Sequence, residues 1–147
     1  MGARGKIWVI FIICAGVLLS LGVFWKLESF ADRAMAAEKI TVYASPSCGC
    51  CHSYIDYLRE NGFDADVIHT DDVAGVKKQY NIPQNLQSCH TAITSSGYII
   101  EGHVPAESIK KLLRDKPNVR GIALPGMPKN APGMGDGKGQ FPVVIIP

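Results

Sequence analysis

Nineteen consecutive residues without a charge, Ile7 to Trp25, separate the first part of this chain from everything that follows. Arg4 and Lys6 precede the run and Lys26 closes it. As a helix rising about 1.5 Å per residue, it nearly spans a hydrocarbon core of about 30 Å. It lacks the polar face of a helix packed in a soluble core, so it reads as a membrane-targeting segment. Two processing outcomes stay open. Ala34-Met35-Ala36 fits a small-x-small cleavage site, which makes residues 1–36 a signal peptide. The length of the run and the charged residues Glu28, Asp32 and Arg33 favour a retained anchor over residues 7–25. On either outcome the residues beyond 37 lie outside the cytoplasm, in the periplasm if the envelope is of a bacterial type. Cys14, inside the run and preceded by bulky Ile13, reads as a bystander.

What remains, residues 37–147, is enough for one domain with a modest core. The whole chain has 15 Lys plus Arg, 13 Asp plus Glu and a net charge of +2, so no basic field is available to hold a nucleic-acid backbone. Hydrophobic residues at 47% argue against disorder.

Lys39 to Ala44 alternates and is rich in β-formers, which predicts a strand. Ser45-Pro46-Ser47 breaks it. A helix from near Cys51 to Asn61 places Tyr54, Ile55 and Leu58 on one face, with Gly62 as its stop. Ala65 to His69 is a second strand. Asp71 or Asp72 caps a helix carrying Val73, Val76 and Tyr80. Thr91–Thr94 and Tyr98–Glu101 flank Ser95-Ser96-Gly97 as a hairpin. Pro105 sits near the start of a last helix carrying Ile109, Leu112 and Leu113, and Pro117 stops it. The order β-α-β-α-β-β-α predicts an α/β domain of thioredoxin-like arrangement, a parallel βαβ unit followed by an antiparallel hairpin. The segment at about 118–140 is rich in glycine and proline and reads as an extended surface loop. Phe141–Ile146 reads as an edge strand.

The chemistry lies in Ser47-Cys48-Gly49-Cys50-Cys51-His52, which follows a strand and opens a helix. Cys48 and Cys51 have the C-x-x-C spacing of redox and metal sites, and Cys50 is one sulfur more than a single disulfide needs. Free N–H groups at a helix N-terminus favour thiolates. Cys89, in Ser88-Cys89-His90, precedes the hairpin, and Gly102-His103 follows it. The first strand ends at the cysteine loop and the hairpin runs antiparallel to it. Cys89 and His103 are therefore expected beside Cys48, Cys50 and Cys51, with Cys89-His90 at the place where thioredoxins carry a cis-proline.

Several of these motifs together resemble the CopG-like copper-resistance family of small extracytoplasmic metal-binding proteins. The matching elements are Cys48-Gly49-Cys50-Cys51, Ser88-Cys89-His90-Thr91-Ala92, Glu101-Gly102-His103-Val104-Pro105-Ala106, Leu124-Pro125-Gly126-Met127-Pro128 and Ala131-Pro132-Gly133-Met134. The similarity runs in order from Ile40 to Ile146; Tyr54 departs from it, where many relatives carry Trp. The resemblance implies a thioredoxin-like domain, copper binding and a role in copper or silver tolerance.

Sulfur-rich donors select soft ions: Cu(I) first, with Ag(I) and Zn(II) also compatible. The expected ligands are Cys48, Cys50, Cys51 and Cys89, with His103 completing the site and the thioethers Met127 and Met134 as weaker candidates. Adjacent Cys50 and Cys51 suit a multinuclear Cu(I) cluster with bridging thiolates better than one ion. His52 and His90 are expected to point away, since neighbouring strand residues face opposite sides, and His69 to be solvated. No residue is assigned a catalytic role. Expected partners are copper ions, another copper-handling envelope protein, and the membrane if the N-terminal segment is retained. Two other functions compete: a thiol-disulfide oxidoreductase using Cys48 and Cys51, and a structural domain with inert disulfides.

Overall fold

The computed structural model describes residues 38–147. The expectations for the N-terminal segment, including its cleavage, its anchoring and the place of Cys14, lie outside those residues. Among the described residues, no helix is long and apolar enough to cross a membrane.

Among the described residues the architecture is mixed α/β, with three α-helices and one six-stranded sheet in the order β2 (Asp64–His69), β1 (Lys39–Ala44), β3 (Thr91–Thr94), β4 (Ile99–Glu101), β5 (Gly121–Ala123), β6 (Val144–Ile146). β1 is Lys39–Ala44, the span its alternation predicts, and β2 is Asp64–His69. They pair in parallel through α1, Gly49–Glu60, with Ala44 opposite His69 at the end nearest the cysteines. β3, Thr91–Thr94, pairs antiparallel with β1, and β4, Ile99–Glu101, returns beside β3. α2 is Val73–Gln79 and α3 is Ala106–Asp115.

The helix ends follow local chemistry. α1 closes in a Schellman motif: Gly62 N–H donates to Arg59 O and Phe63 N–H to Leu58 O, with Gly62 at φ +89°. The Asp72 carboxylate caps α2 by accepting the Gly75 N–H at 2.7 Å. Pro105 is the N-cap of α3, and Lys116 ends that helix in the left-handed region before Pro117.

One part of the C-terminal segment departs from the expected loop. Gly121–Ala123 is a strand, β5, parallel to β4 across α3 and antiparallel to β6, Val144–Ile146. The reason is steric: a Cβ on Gly121 would lie 2.0 Å from Ile99 O, so glycine here serves close pairing with β4 rather than a turn. The expected edge strand is β6, shortened to three residues.

Alternation divides the core. Ile40, Val42, Ala92, Ile100 and Ile122 pack with Tyr54, Ile55 and Leu58 of α1 and with Ile109, Leu112 and Leu113 of α3. A smaller cluster joins Ile82, Ile99, Ala123 and Ile146. The first cluster fixes α1 on the sheet, and with it the cysteines of its first turn.

Candidate metal centre

Three connections converge at one edge of the sheet: the β1–α1 turn, the residues just before β3, and those just after β4. Cys48 is the N-cap of α1, and no side chain caps the helix there. The ligand atoms of Cys48, Cys50, Cys51 and Cys89 all lie within 4.8 Å of one another. Cys51 is fully buried, and the other three are half-buried. Cys48 and Cys51 are joined as a disulfide, with Cα atoms 5.3 Å apart, while Cys50 and Cys89 are free. Cys50 Sγ stands 3.6 Å from Cys48 Sγ. The four sulfurs expected to meet are together, in a state where two of them are oxidised.

Cys89 also belongs to a second group, with His90 and His103. His103 is buried, and its Nδ1–H donates to the Pro132 carbonyl at 2.6 Å. A carbonyl only accepts, so in the neutral ring Nε2 carries the lone pair, and it faces Cys89 Sγ at 3.2 Å. Metal-binding histidines use this same arrangement, one nitrogen tied to a carbonyl and the other free. Burial holds the His103 pKa below the ordinary histidine value.

His90 does not point away. Its Nδ1 lies 3.3 Å from Cys89 Sγ, and the ring is fully buried. The expectation fails because β3 starts only at Thr91, so strand alternation does not govern the 89–90 pair. With Cys89 S–H donating to His103 Nε2, His90 Nδ1–H donates to Cys89 Sγ. His90 Nε2, without a hydrogen-bond partner, is then left as a bare acceptor. Burial, the neighbouring His103 and Lys77 push the His90 pKa down to about 3. Burial and nearby Cys50 push the Cys89 thiol up to about 11, so a metal taken there displaces a proton.

The Tyr54 ring stands 4.8 Å from His90 and 5.1 Å from His103, centroid to centroid, and its hydroxyl donates to Val104 O at 2.7 Å. The Tyr57 hydroxyl oxygen accepts the Ala106 N–H at 2.9 Å. These tyrosines tie α1 to the connection that carries His103. Gly102, at φ +76°, permits the approach from the other side; a Cβ there would lie 2.7 Å from Ser88 Oγ.

A buried ion pair that the strand pattern does not announce braces this edge. Lys77 Nζ lies 2.6 Å from Glu101 Oε1. Glu101 also accepts the Ser88 N–H at 2.6 Å and the Thr91 hydroxyl at 2.7 Å. Its carboxylate thus fixes the backbone immediately before Cys89. The sequence signal was a lone Glu after two isoleucines at the end of a central strand.

Met127 and Met134 are exposed, at 43% and 36%. Met127 follows the Pro125-Gly126 turn with its backbone in the left-handed region, at φ +43°. Met134 borders a shallow groove with Ser53 and Asp56 of α1. His52 and His69 are exposed as well.

The chain is similar to proteins already known. A family model described as a protein of unknown function, DUF411, matches residues 86–134, which include Cys89, His90 and His103. Two solved structures are similar. One, described as copper resistance protein copG, form 2, is 39% identical, with a TM-score of 0.68, covering 74% of this chain and 88% of that one. The other, form 1 of copper resistance protein copG, is also 39% identical, with a TM-score of 0.66, covering 73% and 86%. No curated protein sequence matches the chain.

Proposed function

The chain belongs to the CopG copper resistance family, and from that premise we propose that it binds Cu(I) outside the cytoplasm and contributes to copper or silver tolerance. The observation that carries the reading is the convergence of four cysteine sulfurs within 4.8 Å. Soft donors at that density suit Cu(I), with Ag(I) and Zn(II) as competitors. In the proposal Cys48, Cys50, Cys51 and Cys89 are the ligands, and His103 completes the set through Nε2. Adjacent Cys50 and Cys51 favour bridging thiolates and more than one ion per chain. Met127 and Met134 remain weaker candidates, since both are exposed.

The proposal places residues 37–147 as one thioredoxin-like domain, in keeping with the parallel β1-α1-β2 unit and the β3–β4 hairpin. It makes residues 1–36 a signal peptide or membrane anchor, with copper ions and another copper-handling envelope protein as partners.

The Cys48–Cys51 disulfide favours a second reading, thiol-disulfide exchange. A dithiol donor would reduce the bond and leave as a disulfide, giving this chain two thiols for two electrons and two protons. The same step would double the free sulfurs at the centre from two to four.

Anaerobic titration of the reduced protein with Cu(I), against a competing chelator and with a count of free thiols, tests the reading. Tight uptake with all four described cysteines protected is the expected result. Failure to compete, with reversible disulfide formation instead, overturns it in favour of the oxidoreductase.

A further inference from the structure

Outside the sulfur centre, two more imidazoles stand together. His52 lies in the first turns of α1, and His69 is the last residue of β2. The parallel pairing of β1 with β2 brings the end of β2 level with the end of β1, where the cysteine turn begins. The two rings have centroids 5.3 Å apart and planes tilted by 39°. Both residues are exposed, so packing does not force the rings together.

Two further features bear on what the pair can do. His52 Nδ1 lies 3.0 Å from the Cys48 carbonyl, which only accepts, so Nδ1 carries the hydrogen and Nε2 the free lone pair. This is the carbonyl-tied tautomer of a metal-ligating histidine. The spacing also fits. An ion held at about 2.0 Å by one nitrogen of each ring separates the two centroids by roughly 4.5 Å at the 90° angle of a tetragonal Cu(II) site and roughly 5 Å as that angle opens towards the tetrahedral value.

We propose that His52 and His69 form a two-imidazole site for a borderline divalent ion, Cu(II) foremost, separate from the thiolate centre and on its rim. Imidazole suits Cu(II), the tightest-bound of the common divalent first-row ions, while the thiolates select Cu(I). Water supplies the remaining ligands at an exposed site. The site stands without the Cu(I) reading; only its use in copper handling rests on that reading.

The test uses the full chain with Cys14, Cys50 and Cys89 each changed to Ser, so that the remaining cysteines are those of the Cys48–Cys51 disulfide and no thiol reduces the probe. Cu(II) sulfate is added and followed by electron paramagnetic resonance. The expected result is one Cu(II) per chain coupled to two imidazole nitrogens. His52→Gln and His69→Gln should each weaken binding by at least about tenfold, as loss of one of two ligands demands. Binding as tight in either variant as in the parent overturns the site, and so does the absence of a bound Cu(II) signal. With the cysteines restored and reduced, His69→Gln should leave Cu(I) uptake unchanged; an equal loss of Cu(I) overturns the claim of a separate site. Failure of Cu(I) uptake with the two-nitrogen signal intact removes the proposed function and leaves this site standing.

Discussion

Lys77 and Glu101 meet at 2.6 Å with both side chains almost wholly buried, and the carboxylate they share with Ser88 N–H holds the chain one residue before Cys89. A buried pair of this kind adds little net stability over an apolar replacement, but removing one partner costs about 3–5 kcal/mol. Glu101→Gln should therefore destabilise the domain by that order. Lys77→Met with Glu101→Leu should recover most of the loss in urea unfolding. Cu(I) affinity should be depressed in the double variant, because Leu, unlike Gln, offers Ser88 N–H no acceptor and Cys89 loses its place. Full recovery of affinity by chelator competition would show the pair to be structural only.

Cys89 is the one ligand atom common to the four-sulfur group and the sulfur-imidazole group. Cys89→Ser should reduce the number of Cu(I) bound per chain and abolish any contribution of His103. The Cys48–Cys51 couple, measured as a redox titration, should still operate. Unchanged copper stoichiometry by elemental analysis would show that the centre does not include Cys89.

The Pro132 carbonyl sets the tautomer of His103, and Gly133 beside it packs so closely on α1 that an added Cβ would lie 2.6 Å from Tyr54 N. Gly133→Ala should push Pro132 away and release the ring. Nitrogen-detected NMR of the metal-free protein should find His103 protonated at Nδ1 in the parent and mixed between tautomers in the variant. A parent spectrum with Nε2 protonated would contradict the ligand role proposed for that nitrogen.

Burial holds both His90 and His103 below the ordinary histidine value, His90 at about 3. The unfolded chain takes up these protons near pH 6.5 and the folded chain resists them, so protonation favours unfolding. The stability of the reduced, metal-free protein should be fully present above about pH 6.5. It should fall as the pH drops towards 3. The loss should amount to a few kcal/mol, at about 1.4 kcal/mol per pKa unit before relaxation. His90→Phe should flatten the slope in urea unfolding across that window. A slope unchanged by the variant would assign the acid sensitivity to other groups.

Much of this was legible because it depended on local patterns. Alternation predicted β1 at its observed bounds, and the Gly62 stop and Asp72 cap depend on backbone geometry that few residues supply. The meeting of Cys89 and His103 with the cysteine turn followed from strand direction alone. The misses have physical causes too. β5 has three residues, too few for a period, and its glycine looks like a turn former until Ile99 is placed against it. His90 escapes the alternation rule because β3, the strand that enforces it, begins one residue later at Thr91. The Lys77–Glu101 pair joins residues 24 apart, and no local pattern reports a bond of that reach.

Three of the four clustered sulfurs come from residues 48–51, while Cys89 arrives only when the chain between them closes. An unfolded chain therefore already carries most of the soft donors within one short stretch. A metal held there stabilises the unfolded and folded states alike, and only the difference in affinity counts towards folding. That difference comes from Cys89 and the imidazole behind it, against the entropy of closing the loop. Copper met before folding is complete would thus be retained without hastening the fold, so early capture and final stability become separate properties of one site.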